Sequence, residues 1–213
     1  MASMIGSKVE RKEDKKFLTG RGRYTADINL HNQSYAIFIR SPHARAKITG
    51  IDTSKAKKAS GVIDVLTGKE LQDDKIGGLI AGWKIVSKDG TDMKCPAHPA
   101  LATDLVNYVG DHVALVVAES LQEAKDAAEL VKVDYKVLKA VVSTGQAMDS
   151  DTIHDGIDKN LCFDWELGDK AKAEEAFSSA DKVVEMNIVN NRLVPNAMEP
   201  RASIGDYNPS SEE

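Results

Sequence analysis

The side chains able to do chemistry stand far apart in this sequence. Its five histidines, His31, His43, His98, His112 and His154, include no pair at the i, i+3 or i, i+4 spacing that puts two metal ligands on one helix face, so no metal site is expected. His43 lies in Arg40-Ser-Pro-His-Ala-Arg45, a turn between two predicted strands. A general base there would need an acid or nucleophile within hydrogen-bond reach, and the sequence marks none. His112 heads an apolar run, where a hydrogen-bonded core or edge histidine fits better. Cys95 and Cys162, 67 positions apart with no CxxC, read as two separate reduced thiols. Glu199 and Arg201, in Asn196-Ala-Met-Glu-Pro-Arg201, read as an ion pair or turn, because a catalytic carboxylate needs a second group to work against.

Gly20-Arg-Gly-Arg23 offers glycines that let backbone amides approach an anion and arginines that add charge. It lacks the Gly-Lys-Ser/Thr ending of a phosphate loop and does not follow a strand. The alternatives are anion binding and a structural glycine turn with partner-facing arginines. Arg21, Arg23, Tyr24, Arg40 and His43 are the residues expected at an interface, since arginine and tyrosine are enriched in interface cores. No catalytic, cofactor-binding or metal-ligating residue is assigned.

The elements that would position these residues follow from periodicity and punctuation. Residues 33–41, 46–51 and 62–66 are β-branched or aromatic enough for strands, with a short helix within 53–59. Thr67 to Glu70 and Ser120 to Glu123 have capping-box spacing, and each opens a helix. Between them, residues 73–103 carry glycines and prolines with little periodicity and read as an irregular excursion. The near-continuous apolar run 112–118 reads as a strand covered on both faces. The helix after Ser120 carries Leu121, Ala124, Ala128 and Val131 as one stripe, and 132–137 alternates as a strand. Beyond 150, strands are expected at 161–167 and 182–190, with a helix from 170 to 180 capped by Asp169 and striped by Ala173, Ala176, Phe177 and Ala180. The sequence after Tyr207 reads as a chain cut at a hairpin.

These elements predict an α+β fold, a sheet with helices packed on one side, followed by a partial second α/β piece. The boundaries expected are an N-terminal arm at 1–27, a domain at 28–150 and a shorter piece at 151–213. With 213 residues, 42% apolar and 29% charged, the chain is a folded protein. Its net charge of -5 argues against a nucleic-acid surface, which needs a concentrated positive field. Only the arm is basic, with Lys8, Arg11, Lys12, Lys15, Lys16, Arg21 and Arg23 outnumbering its acids. No apolar run approaches the ~20 residues of a membrane helix, and residues 1–20 lack a signal-peptide core, so a cytoplasmic chain is expected.

Several segments, in order, resemble a known family. They are Leu18-Thr-Gly-Arg-Gly-Arg-Tyr-Thr-Ala-Asp27, then Arg40-Ser-Pro-His-Ala-Arg45 with Ile51-Asp-Thr-Ser54 and Gly61-Val-Ile-Asp-Val-Leu-Thr67. Tyr108-Val-Gly-Asp-His-Val-Ala-Leu-Val-Val-Ala118, the Ala-Ala-Glu-Leu-Val run ending in Val133-Asp-Tyr135, Trp165-Glu-Leu-Gly-Asp169 and Arg192-Leu-Val-Pro-Asn-Ala-Met-Glu-Pro-Arg201 follow. Together they resemble the front of the large subunit of xanthine dehydrogenase/aldehyde oxidase family molybdenum hydroxylases, closest in flavour to bacterial carbon monoxide or aldehyde dehydrogenases. Gly110-Asp-His112 departs from the Gly-Glu-Pro more usual in that family.

The resemblance implies an α/β hammerhead domain up to about residue 150 and then the start of a molybdenum-cofactor domain. It implies an enzyme that oxidises CO, an aldehyde or a heterocycle with water as the oxygen source. The implied cofactor is molybdenum-molybdopterin (cytosine dinucleotide), with FAD and [2Fe-2S] on partner subunits or domains. The implied partners are the remaining cofactor-binding polypeptide, an iron-sulfur subunit and a FAD subunit. The family's cofactor loops and catalytic glutamate correspond to sequence beyond Glu213, so the chain alone is expected to bind no cofactor and to be inactive. The alternative is a non-catalytic module that docks iron-sulfur or flavin subunits.

Overall fold

A β-strand whose side chains are apolar on both faces must be covered on both, and residues 112–118 meet this demand with an apolar cluster packed on each face. In the computed structural model, which describes residues 5–6, 8–191 and 193–212, six strands form. They are β1 (Tyr35–Arg40), β2 (Ala46–Asp52), β3 (Val62–Thr67), β4 (Leu105–Val106), β5 (His112–Ala118) and β6 (Lys132–Val137). One antiparallel sheet has the order β1-β5-β3 and the other β4-β2-β6. The helices are α1 (Asp14–Leu18), α2 (Gly68–Asp73), α3 (Leu121–Leu130) and α4 (Lys170–Ser179).

Successive side chains of a strand point to opposite faces, and β5 uses both. Val113 joins Ala46, Ile48, Ala102 and Val106 in one buried cluster, flanked by Ile51, Val133 and Tyr135 of the second sheet. Val116 joins Val65, Ala56 and Ala127 in another, with Ile39, Ala128 and Val131 packed around it. The second cluster is where α3 lies on the first sheet. Burial of each such valine contributes roughly 1.5–3 kcal/mol.

The two capping boxes differ in detail. Thr67 accepts the Lys69 N–H at 3.3 Å while the Glu70 carboxylate accepts the Thr67 N–H at 2.9 Å and also takes the Thr67 hydroxyl. At α3, Ser120 Oγ accepts the Glu123 N–H at 3.2 Å, but the Glu123 carboxylate takes the Ser120 hydroxyl at 2.7 Å. Gly68 lets α2 begin against the neighbouring chain, since a Cβ there would stand 2.7 Å from the Ala102 carbonyl oxygen.

Several expectations need correction. The strands fall into two sheets where one was expected: β2 and β3 enter different sheets, as do β5 and β6. The α+β class stands, with two small sheets in place of one. No strand forms at 161–167 or 182–190. A strand needs a continuous ladder with a neighbour; at 161–167 only two isolated backbone bonds arrive, from the Lys88 N–H to the Asp164 carbonyl and from the Lys94 N–H to the Cys162 carbonyl, and at 182–190 no ladder forms among the described residues. The expected helix at 170–180 does form, and Asp169 accepts the Lys172 N–H at 3.1 Å. Its apolar stripe is not covered, with Phe177 66% exposed. Two compact units result: Ser34–Val183, which holds both sheets, and Met1–Gln33 with Val184–Glu213. Arg192, which opens the last family-like segment, lies outside the described residues.

Unladdered backbone should exchange its amide protons freely. Hydrogen exchange on the purified chain is expected to show the greatest protection in β5 and near-unprotected rates across 182–191 and 193–207. Slow exchange in that segment comparable to β5 would overturn the description.

Candidate functional site

Three groups of polar residues emerge. The first is the N-terminal arm. α1 ends in a Schellman turn: the Gly20 N–H reaches the Phe17 carbonyl at 3.1 Å and the Arg21 N–H reaches Lys16 at 2.9 Å, with Gly20 at φ 68°. Gly22 serves differently. A Cβ on it would stand 2.5 Å from the Phe17 ring, and that ring stacks on Tyr24 with centroids 5.6 Å apart and planes 7° from parallel. Tyr24 then starts a 3-10 turn at Thr25–Asp27, where its N–H is accepted by Asp27 at 3.0 Å. The two glycines therefore build an aromatic clasp, and Arg21 and Arg23 are left exposed. Glu199 Oε1 accepts the Thr25 N–H at 3.2 Å, and no ion pair joins Glu199 to Arg201 among the described residues.

The second group sits where β1 and β5 run out. The register shifts after Ile39, so that Arg40 faces His112, a bulge that re-aims side chains. Arg40 donates to the Gly110 carbonyl at 3.1 Å, and buried Asp111 accepts the Asn107 N–H at 2.9 Å, closing the turn that Gly110 makes at φ 93°. His112 stacks on Phe38 with centroids 4.3 Å apart. Its Nε2 is enclosed and has no hydrogen-bond partner. Burial, Arg40 and His98 hold the imidazole below its ordinary 6.5, against the pull of Asp111 and the Ala100 backbone. The His98 ring stands edge-on to Tyr108, whose hydroxyl is 3.4 Å from His98 Nε2. Burial first, then Asp111, pushes the Tyr108 phenol up.

The third group is the turn after β1. Buried Ser41 Oγ accepts the His43 N–H at 3.0 Å and donates to the His43 carbonyl at 3.1 Å, while the His43 ring meets Tyr135 edge-on at 5.0 Å. Arg45 clamps the far connection, donating to the carbonyls of Ile153 at 2.8 Å and Lys139 at 3.4 Å. Sequence reasoning missed this clamp, as it missed Phe17 and Asp111, because the partners lie far along the chain or are backbone atoms. His154 lines a cavity of about 570 Å³ with Leu71, Gln72, Leu101 and Asn107.

Of the five interface candidates, Arg21, Arg23 and Tyr24 share the arm, whereas Arg40 and His43 belong to the sheet end. No group of three His, Cys, Asp or Glu among the described residues is placed to hold a metal ion. No described helix is long and apolar enough to cross a membrane.

Residues 19–139 match the family described as "Aldehyde oxidase and xanthine dehydrogenase, a/b hammerhead domain". The nicotine 6-hydroxylase large subunit of Paenarthrobacter nicotinovorans is 36% identical over 96% of this chain and 24% of its own length. The carbon monoxide dehydrogenase large chain of Afipia carboxidovorans is 34% identical over 92% of this chain and 24% of its own. Among solved structures, reconstituted CO dehydrogenase from Oligotropha carboxidovorans aligns with a TM-score of 0.65 at 34% identity, covering 83% of this chain and 22% of that one. Quinoline 2-oxidoreductase from Pseudomonas putida 86 aligns at 0.60 and 35% identity, over 69% and 18%. The chain belongs to the aldehyde oxidase and xanthine dehydrogenase hammerhead family. It spans about a quarter of the length of the curated relatives named here.

Two outcomes follow from this geometry. Because the folded pKa of His112 is depressed, the unfolded chain binds more protons between that value and 6.5, and stability falls as pH drops through this window. In urea titrations at about pH 5 to 7, His112→Gln should flatten part of the acid loss, and an unchanged slope would refute the assignment. Gly22→Ala should displace the Phe17 ring and erase its ring-current shift on Tyr24 while changing stability by within roughly 0.5 kcal/mol. An intact shift would show that the clasp does not depend on Gly22.

Proposed function

We propose that this chain is the front portion of the molybdopterin-binding large subunit of a molybdenum hydroxylase that oxidises CO, an aldehyde or a heterocycle with water as oxygen source. The observation that carries this reading is identity above a third with two large subunits across more than nine tenths of the chain. On this reading residues 28–150 are the hammerhead domain, 1–27 an arm, and 151–213 the beginning of the cofactor domain. Chemistry resides in polypeptide corresponding to the other three quarters of the relatives. That polypeptide supplies the molybdenum-molybdopterin cytosine dinucleotide site, and iron-sulfur and FAD subunits complete a cytoplasmic complex. The exposed apolar side chains of Val184, Met186, Ile188 and Val189 support a missing neighbour, because contiguous bare apolar surface marks interaction sites.

A second reading, a docking module without chemistry of its own, is favoured by the arm. Its clasp presents two exposed arginines beside an aromatic pair, residue types that anchor interfaces. Arg40 and His43 are proposed for the same role.

The purified chain is expected to carry no molybdenum and to oxidise no CO, aldehyde or purine with an artificial acceptor; stoichiometric metal by elemental analysis would sink the proposal. In the assembled enzyme, Arg21→Ala with Arg23→Ala should weaken subunit association by roughly 1–3 kcal/mol per residue and leave large-subunit folding intact. Normal assembly with loss of the molybdenum cofactor would instead assign the arm to the cofactor site.

A further inference from the structure

The irregular excursion between α2 and β4 is fastened to the stretch after residue 160 at several points. Within the excursion, Ser87 and Met93 donate backbone bonds to Thr91 and Ile85 at 2.8 Å each, closing a small hairpin whose tip is Gly90. This hairpin then reaches residues 162–164. The Lys88 N–H donates to the Asp164 carbonyl at 2.8 Å and the Lys94 N–H to the Cys162 carbonyl at 2.9 Å. The Asp164 N–H donates to Ser87 Oγ at 3.3 Å, and the Lys88 ammonium pairs with the Asp164 carboxylate at 2.8 Å. That ion pair is half exposed on both sides and adds little by itself. The contact at the other end is the informative one, because the residue after Lys94 is Cys95.

We propose that Cys95 and Cys162 are a thiol modification site that closes into a reversible intramolecular disulfide, locking the 79–95 excursion onto residues 162–164. Both thiols are free and line one cavity of about 520 Å³, together with Leu79, Met93, His98 and Phe163. A backbone hydrogen bond of the Lys94–Cys162 kind holds two chains roughly 5 Å apart. A disulfide bridges Cα atoms about 4.4–6.8 Å apart; Cys95 is one residue on from the bonded Lys94 and its Sγ lies 3.7 Å from the Met93 carbonyl, so closure requires the exposed loop at Cys95 to turn that side chain toward Cys162. The two thiols differ in access: Cys95 is exposed and Cys162 partly covered. Their shared cavity is no metal cage, since no three ligands of the His, Cys, Asp or Glu type gather among the described residues.

Access sets the order of events. With a small-molecule disulfide such as oxidised glutathione as the oxidant, the exposed Cys95 thiolate attacks one sulfur and releases one glutathione thiolate. The Cys162 thiolate then attacks the Cys95 sulfur of the mixed disulfide and releases the second. Two protein thiols are oxidised, one low-molecular-weight disulfide is reduced to two thiols, and the leaving thiolates take up the two protons. The covalent link adds to a set of weak polar fasteners at the open end of the hairpin, so local opening of the excursion is what it suppresses.

The experiment treats the whole chain with oxidised glutathione, quenches with an alkylating agent, and reads intact mass and non-reduced peptide maps. The expected product is monomeric, two hydrogen masses lighter, with the peptides holding Cys95 and Cys162 joined and released by reductant. Proteolysis within 79–94 should slow roughly tenfold on oxidation. Cys162→Ser should trap glutathione on Cys95, whereas Cys95→Ser should leave Cys162 largely unmodified. A wild-type chain that accumulates the mixed disulfide without closing it, or that links only between molecules, would overturn the proposal. So would equal glutathione uptake by the two single variants.

Discussion

Everything in the larger unit depends on β5 being buried from both sides. One face of the strand, through Val113, seals the cluster that includes β2 and β4; the opposite face, through Val116, seals the cluster under α3. β5 also lies at the centre of its sheet, with β1 and β3 antiparallel to it on either side. The second sheet repeats the arrangement with β2 between β4 and β6. Splitting the two β-α-β stretches between sheets is what lets one strand serve two cores.

The polar residues take their places from this arrangement. At the end of β5, the bulge opposite Ile39 brings Arg40 to His112, and Phe38 shields the imidazole face. The environment disfavours imidazolium because protonation would put a second N–H where Nε2 has no acceptor. Arg40 and His43 each engage their own chain, through the Gly110 carbonyl and the Tyr135 ring. In the arm, two glycines separated by one residue do different work: one accepts a left-handed backbone and the other yields space to an aromatic ring.

The contrast between the sheets and the residues after 160 is physical. Up to β6 the apolar strands pack into the two clusters, leaving Ile80 and Trp83 of the excursion exposed; after it, Phe177, Val184, Met186 and Ile188 remain largely exposed. Relatives roughly four times as long as this chain carry a similar stretch, 36% and 34% identical to it. The segment 182–190 has strand-forming composition but no ladder partner among the described residues, and backbone amides and carbonyls define a strand only in pairs.

What the sequence determined by itself was local. The caps at Thr67, Ser120 and Asp169, the turn at Gly20 and the two-faced apolar run all stood in the residue order, because each rests on interactions within a few positions. The family resemblance also lay there, carried by ordered segments. Tertiary structure decided which sheet each strand joins, that Phe17 closes over Gly22, that Arg45 reaches the Ile153 carbonyl, and that two cysteines 67 positions apart line one cavity. These depend on segments that meet only after the chain has folded back on itself, and residue spacing carries no record of that meeting.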